Sequence, residues 1–192
     1  MTGTWPSGWA TGDIETAAEF KKGIGSISDT TLGGSAANID ISSIVGTYAH
    51  LFVVVYARGD VAAGSPALWV RFNGDTAANY DYQQLQSTAA TVNASESFGV
   101  TAITAGLFPG NSAGANLFGV CIGFIPHYAG SSNNKMALAT SAFKTGVATG
   151  NLVNQLNGGS WRSNAAINRI TLLPNSGNFV AGTRVTLYGM GA

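Results

Sequence analysis

The chain has 192 residues, a length that suits one domain with a sizeable buried core. Only 9% of the residues are charged, against roughly 25% in ordinary soluble domains, and the formal net charge is zero. Lysine and arginine cluster only at Lys21 and Lys22, which excludes the basic surface that nucleic-acid binding requires. The 26 glycines are about twice the usual share. A surface of small neutral residues is typical of chains that pack against other chains; a very soluble β-rich monomer is the alternative.

Neither a secretory signal nor a membrane span is predicted. The first residues have no basic segment and no apolar segment of the kind that a signal peptide needs. The longest strongly apolar run, residues 51–57, is far shorter than the roughly 20 residues that cross a bilayer. Cys121 is the only cysteine, so an intrachain disulfide is excluded, and its apolar neighbours predict a buried, inert thiol.

Residues 1–25 are predicted to form an N-terminal arm with one short helix. Tryptophans occur there among glycine, serine and threonine, and they either fold back onto the domain or dock on a neighbouring subunit. The helix is predicted over residues 13–23, because Thr16 and Glu19 fit a capping box and the two lysines suit the last turn. The predicted partner contacts of the arm are Trp5, Trp9, Ile14 and Phe20.

Residues 26–192 are predicted to form an all-β domain of eight to ten short strands. The strongest strand, residues 50–58, is apolar on both faces, so we expect it to be covered on both sides. A second strongly apolar strand covers residues 116–126, whereas residues 146–164 read as a polar stretch with at most a short strand near Trp161. Because no helical pattern separates the strands, the prediction is a jelly-roll-like antiparallel β-sandwich, completed by a closed oligomer.

Residues 67–84 are predicted to form a hairpin. Leu68, Val70 and Phe72 alternate with polar or amphipathic residues, which is the period of a strand. Asn73 and Gly74 then break the run, and this dipeptide is a strong signal for a tight turn between paired strands.

The inventory of reactive side chains predicts no catalytic centre, no cofactor and no metal site. Asp75 and Asp81 are the most closely spaced interesting acids, and a glycosidase pair is a remote alternative to their usual role in turns. His50 and His127 stand alone beside apolar runs, and with one cysteine they do not make a zinc site. Nucleotide-binding loops and nucleophile elbows are missing from the sequence.

Aromatic residues offer a second type of site, a surface that stacks on a sugar ring. Packing in the core or at an interface is the competing role, since tryptophan and tyrosine are favoured there as well. The predicted ligand-stacking residues are Trp69, Tyr80, Tyr82 and Trp161.

Three runs, in this order, resemble a domain of virion proteins of tailed bacteriophages. They are residues 48–58 (YAHLFVVVYAR), residues 68–75 (LWVRFNGD, continuing to NY at 79–80) and residues 181–189 (AGTRVTLYG). The resemblance covers roughly residues 26–189. It implies a β-sandwich that is usually oligomeric, has a structural or host-attachment role and carries no enzyme activity.

The short arm favours a capsid decoration protein over a receptor-binding tail-fibre or tail-tip protein, since no shaft or coiled-coil repeat precedes the domain. The expected partners are two further copies of the chain, a major capsid or tail protein, and a host-surface glycan. The expected location is the virion. A lectin-like carbohydrate-binding module is a further alternative.

Overall fold

The computed structural model describes residues 23–62, 64–147 and 152–191. This part of the chain forms twelve β-strands and a single turn of 3-10 helix at Asn111–Ala113. The predicted helix, up to residue 22, lies outside the described residues. The strands are β1 (Ile24–Thr31), β2 (Ile39–Ile41), β3 (His50–Ala57), β4 (Ala67–Phe72), β5 (Tyr80–Thr88), β6 (Thr91–Val100), β7 (Ile103–Leu107), β8 (Gly119–Pro126), β9 (Lys135–Lys144), β10 (Leu152–Trp161), β11 (Ile170–Pro174) and β12 (Arg184–Met190).

The strands form two antiparallel sheets that face each other. The larger sheet has eight strands in the order β1-β12-β3-β8-β9-β10-β5-β6, and the smaller has four in the order β2-β11-β4-β7. The predicted all-β sandwich is therefore confirmed, and its first strand begins at Ile24.

The strand pairing is that of a jelly roll. β1 pairs with β12, β2 with β11, β3 with β8 and β4 with β7, so the first half of the chain pairs with the second half in reverse order. Such a long antiparallel ribbon, when it is wound over itself, gives the two Greek keys of a jelly roll. These eight strands account for the predicted architecture.

The other four strands are two inserted hairpins, β5–β6 between β4 and β7, and β9–β10 between β8 and β11. Both hairpins add to the larger sheet only, where β9 pairs with β8, β10 with β9 and β5, and β5 with β6. We call the four strands β9, β10, β5 and β6 the extension. It gives the larger sheet twice as many strands as the smaller one.

The core lies between the inner faces of the two sheets. Strand residues that point inward alternate with residues that point outward, as the period of two requires. Those on β3 and β4 are at most 7% exposed, and burial of each such side chain contributes about 1.5–3 kcal/mol. They are Leu51, Val53, Val55, Leu68, Val70 and Phe72.

The hairpin predicted over residues 67–84 is wrong. β4 pairs with β11 and β7 in the smaller sheet, whereas β5 pairs with β10 and β6 in the larger one. Asn73 and Gly74 do have positive φ angles of 52° and 70°, as the dipeptide suggests. The side chain of Asn73, however, binds Ala166 O and the N–H groups of Asn168 and Arg169. These bonds hold the turn against the segment before β11, and the chain then crosses to the other sheet.

The polar stretch predicted at residues 146–164 contains β10, a ten-residue strand in the middle of the extension. Its inward positions include Gln155 and Asn157, which are 2% and 1% exposed. Hydrophobic periodicity did not reveal this strand because amides occupy positions that a strand core usually fills with apolar residues.

β7 is the edge strand of the smaller sheet, and side chains of the facing sheet form hydrogen bonds with its free backbone groups. Ala105 O accepts hydrogen bonds from Asn157 Nδ2 at 3.1 Å and from Cys121 Sγ at 3.4 Å, and Leu107 N–H donates to Ser141 Oγ at 3.0 Å. Because exposed edges invite pairing with other chains, these bonds close that edge. β7 packs against β9 and β10 of the extension, and β5 and β6 project past the end of the smaller sheet.

Candidate functional site

The outward side of the extension carries large apolar side chains. Seven of them, from all four of its strands, are 48–69% exposed there. Strand register places Leu85 opposite Leu156, and polar residues lie between some of the others. We call this surface the outer apolar face; its apolar side chains are Leu85, Val92, Phe98, Met136, Leu138, Leu152 and Leu156.

The outer apolar face continues onto β8 and β3. Phe52 lies opposite Phe124, and Phe124 lies opposite Leu138. A shallow apolar groove of about 160 Å³ runs between these side chains and Leu156. On this side of β3, Phe52 and Val54 are partly exposed, and Tyr56 stacks on Phe118 but is still 50% exposed. Within the described part of the chain, the cover predicted for both faces of β3 is therefore complete on the inner face only.

Few charges interrupt this surface. The four strands of the extension contain two acids, Asp81 and Glu96, and two lysines, Lys135 and Lys144. Lys135 is 3% exposed, and its ammonium group donates to the carbonyls of Asn133 and Asn164. Burial lowers the pKa of this lysine. Lys135 therefore points inward, and the outer side carries Glu96, Lys144 and the Asp81–Arg162 pair, whose opposite charges do not oppose contact with a second copy of the chain.

Two of the predicted stacking residues, Tyr80 and Trp161, are core residues. They are 0% and 3% exposed, and their rings stack on each other at 6.3 Å. Their polar ends converge on the turn after β4: Trp161 Nε1 donates to the Asp75 carboxylate at 2.7 Å, and the Tyr80 hydroxyl donates to Asp75 O at 3.1 Å. Burial raises the pKa of Tyr80 to about 12. Neither ring is available to an external ligand.

The other two, Trp69 and Tyr82, are half-buried and share one groove. Val100, Thr101 and Ala102 complete its walls, and its volume is about 260 Å³. Trp69 lies on the outer side of β4, and Tyr82 lies on the inward side of β5, where the extension projects past β7. The structure therefore brings together two aromatic residues that are thirteen positions apart in the sequence.

The acid pair considered for catalysis does not form one site. Asp75 accepts hydrogen bonds from Asn79 Nδ2, Trp161 Nε1 and Ala77 N–H, and the first two hold its pKa below the usual value. Asp81 instead binds Gly99 N–H at 2.8 Å and pairs with Arg162 at 3.2 Å. Both acids thus have structural partners.

The two histidines, although far apart in sequence, are neighbours. The His127 N–H donates to His50 Nδ1 at 3.2 Å, and the ring centroids are 5.3 Å apart. Across residues 23–62, 64–147 and 152–191, no group of three or more histidine, cysteine, aspartate or glutamate side chains is placed to hold a metal ion.

The predicted burial of Cys121 is confirmed, since its thiol is 4% exposed. Burial raises its pKa to about 12, so the reactive thiolate is not formed near neutral pH. The arm residues Trp5, Trp9, Ile14 and Phe20 lie outside the described residues.

The outer apolar face was not predicted from the sequence. Its leucines are separated by glutamine, asparagine and glycine, so no run of strong strand formers marks it. The available signal was weak: in residues 152–156 (LVNQL) the two leucines share one face of a strand.

Comparison with protein-family models, with curated proteins and with solved structures found no match for this chain. In its described part, no helix has the length and apolar character needed to cross a bilayer.

Proposed function

We propose that this chain is a non-enzymatic structural protein of a virion, a capsid decoration protein that assembles with copies of itself into a homotrimer. The observation that carries the proposal is the outer apolar face, together with its continuation over β8 and β3. The resemblance to phage virion domains supports the same function, because its three runs coincide with β3, β4 and β12.

The size of this surface fits an interface. The outer side of six strands, about 4.8 Å apart and up to ten residues long, covers on the order of 900 Å², with polar residues such as Thr140 and Asn154 among the apolar ones. A stable protein interface buries about 800 Å² on each partner, and apolar patches larger than a few hundred Å² are rare on monomers. Desolvation of the exposed leucines and phenylalanines would drive the association, since charge neither steers nor opposes it.

Light scattering on the purified protein tests this proposal. We expect a mass near three times 19.6 kDa. The double variant Leu85→Lys with Leu156→Lys should give a monomer with an unchanged circular dichroism spectrum, because each lysine would have to be desolvated at the interface. Ser176→Lys, in the exposed turn after β11, is the matched control and should leave the mass unchanged. A monomeric wild-type protein would contradict the proposal.

The N-terminal arm is proposed as the anchor to the virion, through Trp5, Trp9, Ile14 and Phe20. Since β1 begins at Ile24, a deletion of residues 1–22 spares the sandwich. We expect the truncated protein to stay folded and to lose binding to purified phage heads that lack the protein. Binding to isolated tails rather than heads would favour the tail-fibre or tail-tip alternative. Retained head binding would show that the anchor lies elsewhere.

A further inference from the structure

We propose that the groove between Trp69 and Tyr82 binds a pyranose ring of a glycan. The groove lies on the inward side of β5, opposite to the outer apolar face. Glycan binding and self-assembly therefore rest on different residues, and either can fail without the other.

The walls of the groove suit the apolar faces of a sugar. A pyranose presents C–H groups on its faces and hydroxyls around its edge, and tryptophan and tyrosine combine an apolar ring with a polar tip. Trp69 and Tyr82 supply two such rings on opposite sheets. The volume of about 260 Å³ is just below the range of roughly 300–1,000 Å³ that is typical of small-molecule pockets, which fits one sugar unit rather than a long chain.

Next to the groove, the inward side of β5 and β6 is polar and uncharged, whereas Arg71 lies on the β4 side. Strand register places Ser97 opposite Tyr82, and Ser95 opposite Gln84, on the same side of the extension. Gln86 follows on β5, still partly accessible. Amides and hydroxyls both donate and accept hydrogen bonds, as sugar hydroxyls require. An apolar peptide would leave these groups unpaired, so the surroundings favour a glycan as the occupant.

A buried amide lies at the inner end of this polar surface. Gln155 is opposite Gln86, is 2% exposed, and neither its Nε2 nor its Oε1 has a hydrogen-bond partner in the described part of the chain. Unpaired buried amides are uncommon because each costs about 1–3 kcal/mol. Gly159 is the residue of β10 opposite Tyr82, so this amide lies four residues along the strand from the groove and is not part of its lining.

The groove is held in shape by bonds within the chain. Arg71, which follows Trp69 on the same side of β4, donates from Nε to Thr101 O at 3.0 Å. Ala102 is 3% exposed, and the neighbouring Tyr80 is fixed by its bonds to Phe72 and Asp75. A site formed in advance loses less entropy when it binds a ligand.

Indole ¹H–¹⁵N NMR spectra of the full chain test the proposal. The four tryptophans give four signals, and the buried Trp161 is an internal control. The probes are methyl glycosides of glucose, galactose, mannose and N-acetylglucosamine, with sorbitol as an open-chain control. We expect at least one glycoside to shift the Trp69 signal with a Kd of about 1 mM, whereas Trp161 and the sorbitol titration should not change.

Variants separate stacking from a general loss of structure. Tyr82→Ala should weaken the binding of that glycoside by up to about tenfold, while Tyr82→Phe should retain it because the ring remains. Likewise, Trp69→Phe should bind better than Trp69→Leu, measured by the backbone amide shifts of residues 100–102 because both variants lack the Trp69 indole. Ser176→Ala, in the exposed turn after β11 and outside both the groove and the outer apolar face, is the control.

Three results would overturn the proposal. One is the absence of any glycoside-dependent Trp69 shift up to about 50 mM, a range that covers weak monosaccharide binding. Another is an equal shift of Trp69 and Trp161. The third is a Trp69 signal that follows protein concentration instead of glycoside, which would identify the occupant as a second copy of the chain. The mass of the protein is measured separately, so these results do not depend on the proposed self-assembly.

Discussion

Asp75 joins three parts of the molecule through a single carboxylate. It closes the turn after β4, accepts from Asn79, and gives the buried indole of Trp161 its only polar contact in the described part of the chain. Hydrogen bonds to a charged acceptor contribute about 1.5–3 kcal/mol, and an indole left unpaired in the core adds a penalty. This residue is therefore more important for stability than its place in a surface turn suggests.

We expect Asp75→Ala to lower the free energy of unfolding by about 2–3 kcal/mol, measured in urea. Asp81→Ala is the matched control. It removes a partly exposed pair with Arg162 and one bond to Gly99 N–H, so we expect a loss of about 1 kcal/mol or less. Equal losses in the two variants would show that the bond to Trp161 does not contribute as argued.

The thiol of Cys121 should be unreactive in the folded protein. It lies between the sheets with its Sγ against Ala105 O, and burial keeps its pKa near 12. We expect a thiol reagent such as Ellman's reagent to modify less than about a tenth of the protein at pH 8 within an hour, and all of it in denaturant. Rapid modification without denaturant would mean that β7 separates from β8 in the native state.

At the scale of elements, the sequence predicts the jelly-roll strands better than β10 and β6 of the extension. β3 and β8 have continuous apolar alternation, because their inner faces form the centre of the core. β10 places Gln155 and Asn157 inward, and nearly all of β6 is exposed, so neither has a pattern that periodicity detects. The groove residues were named from their aromatic character, but only the fold separates the accessible Trp69 and Tyr82 from the buried pair.

Two adjacent glycines in β10 test how the extension is joined to the smaller sheet. A Cβ added at Gly159 would lie 2.4 Å from Ile103 Cγ2, because β7 crosses close above β10 at that point. A Cβ added at Gly158, on the opposite side of the strand, would have no atom within 4 Å. Contact between the layers therefore depends on one of these positions and not on the other.

We expect Gly159→Ala to lower the free energy of unfolding by about 1–3 kcal/mol, since the new methyl group must push β7 away or move Ile103. Gly158→Ala, the matched control, should be neutral or stabilise by up to about 1 kcal/mol, because alanine restricts the unfolded chain. Urea unfolding of both variants measures the difference. If Gly158→Ala lowered the free energy of unfolding as much as Gly159→Ala, the cause would lie in the strand backbone and not in the contact with Ile103.

Over the whole molecule, aspartates link the two halves of the jelly roll. Arg184 holds the pKa of Asp29 below its usual value by a hydrogen bond from β12 to β1, and Arg169 does the same for Asp40. Asp60 has a lowered pKa because it accepts from the backbone and side-chain N–H groups of Asn178. These partners are more than a hundred residues apart, so the same pairs also hold the long antiparallel ribbon together.

The direction of these pKa changes predicts loss of stability in acid. A carboxyl with a lowered folded pKa stabilises the protein fully above its unfolded pKa, near 3.9, and the gain disappears as the pH falls through the folded value. We therefore expect the carboxylates to leave Tm unchanged between about pH 5 and 8, and Tm to fall below about pH 4. About 1 M NaCl should weaken the exposed ion pairs of Asp29 and Asp40 more than the hydrogen bonds that Asp60 accepts from the uncharged N–H groups of Asn178. Asp29→Asn should accordingly reduce the dependence of Tm on both acid and salt. If the variant keeps both dependences, the pair of Asp29 with Arg184 does not link β1 to β12 in solution.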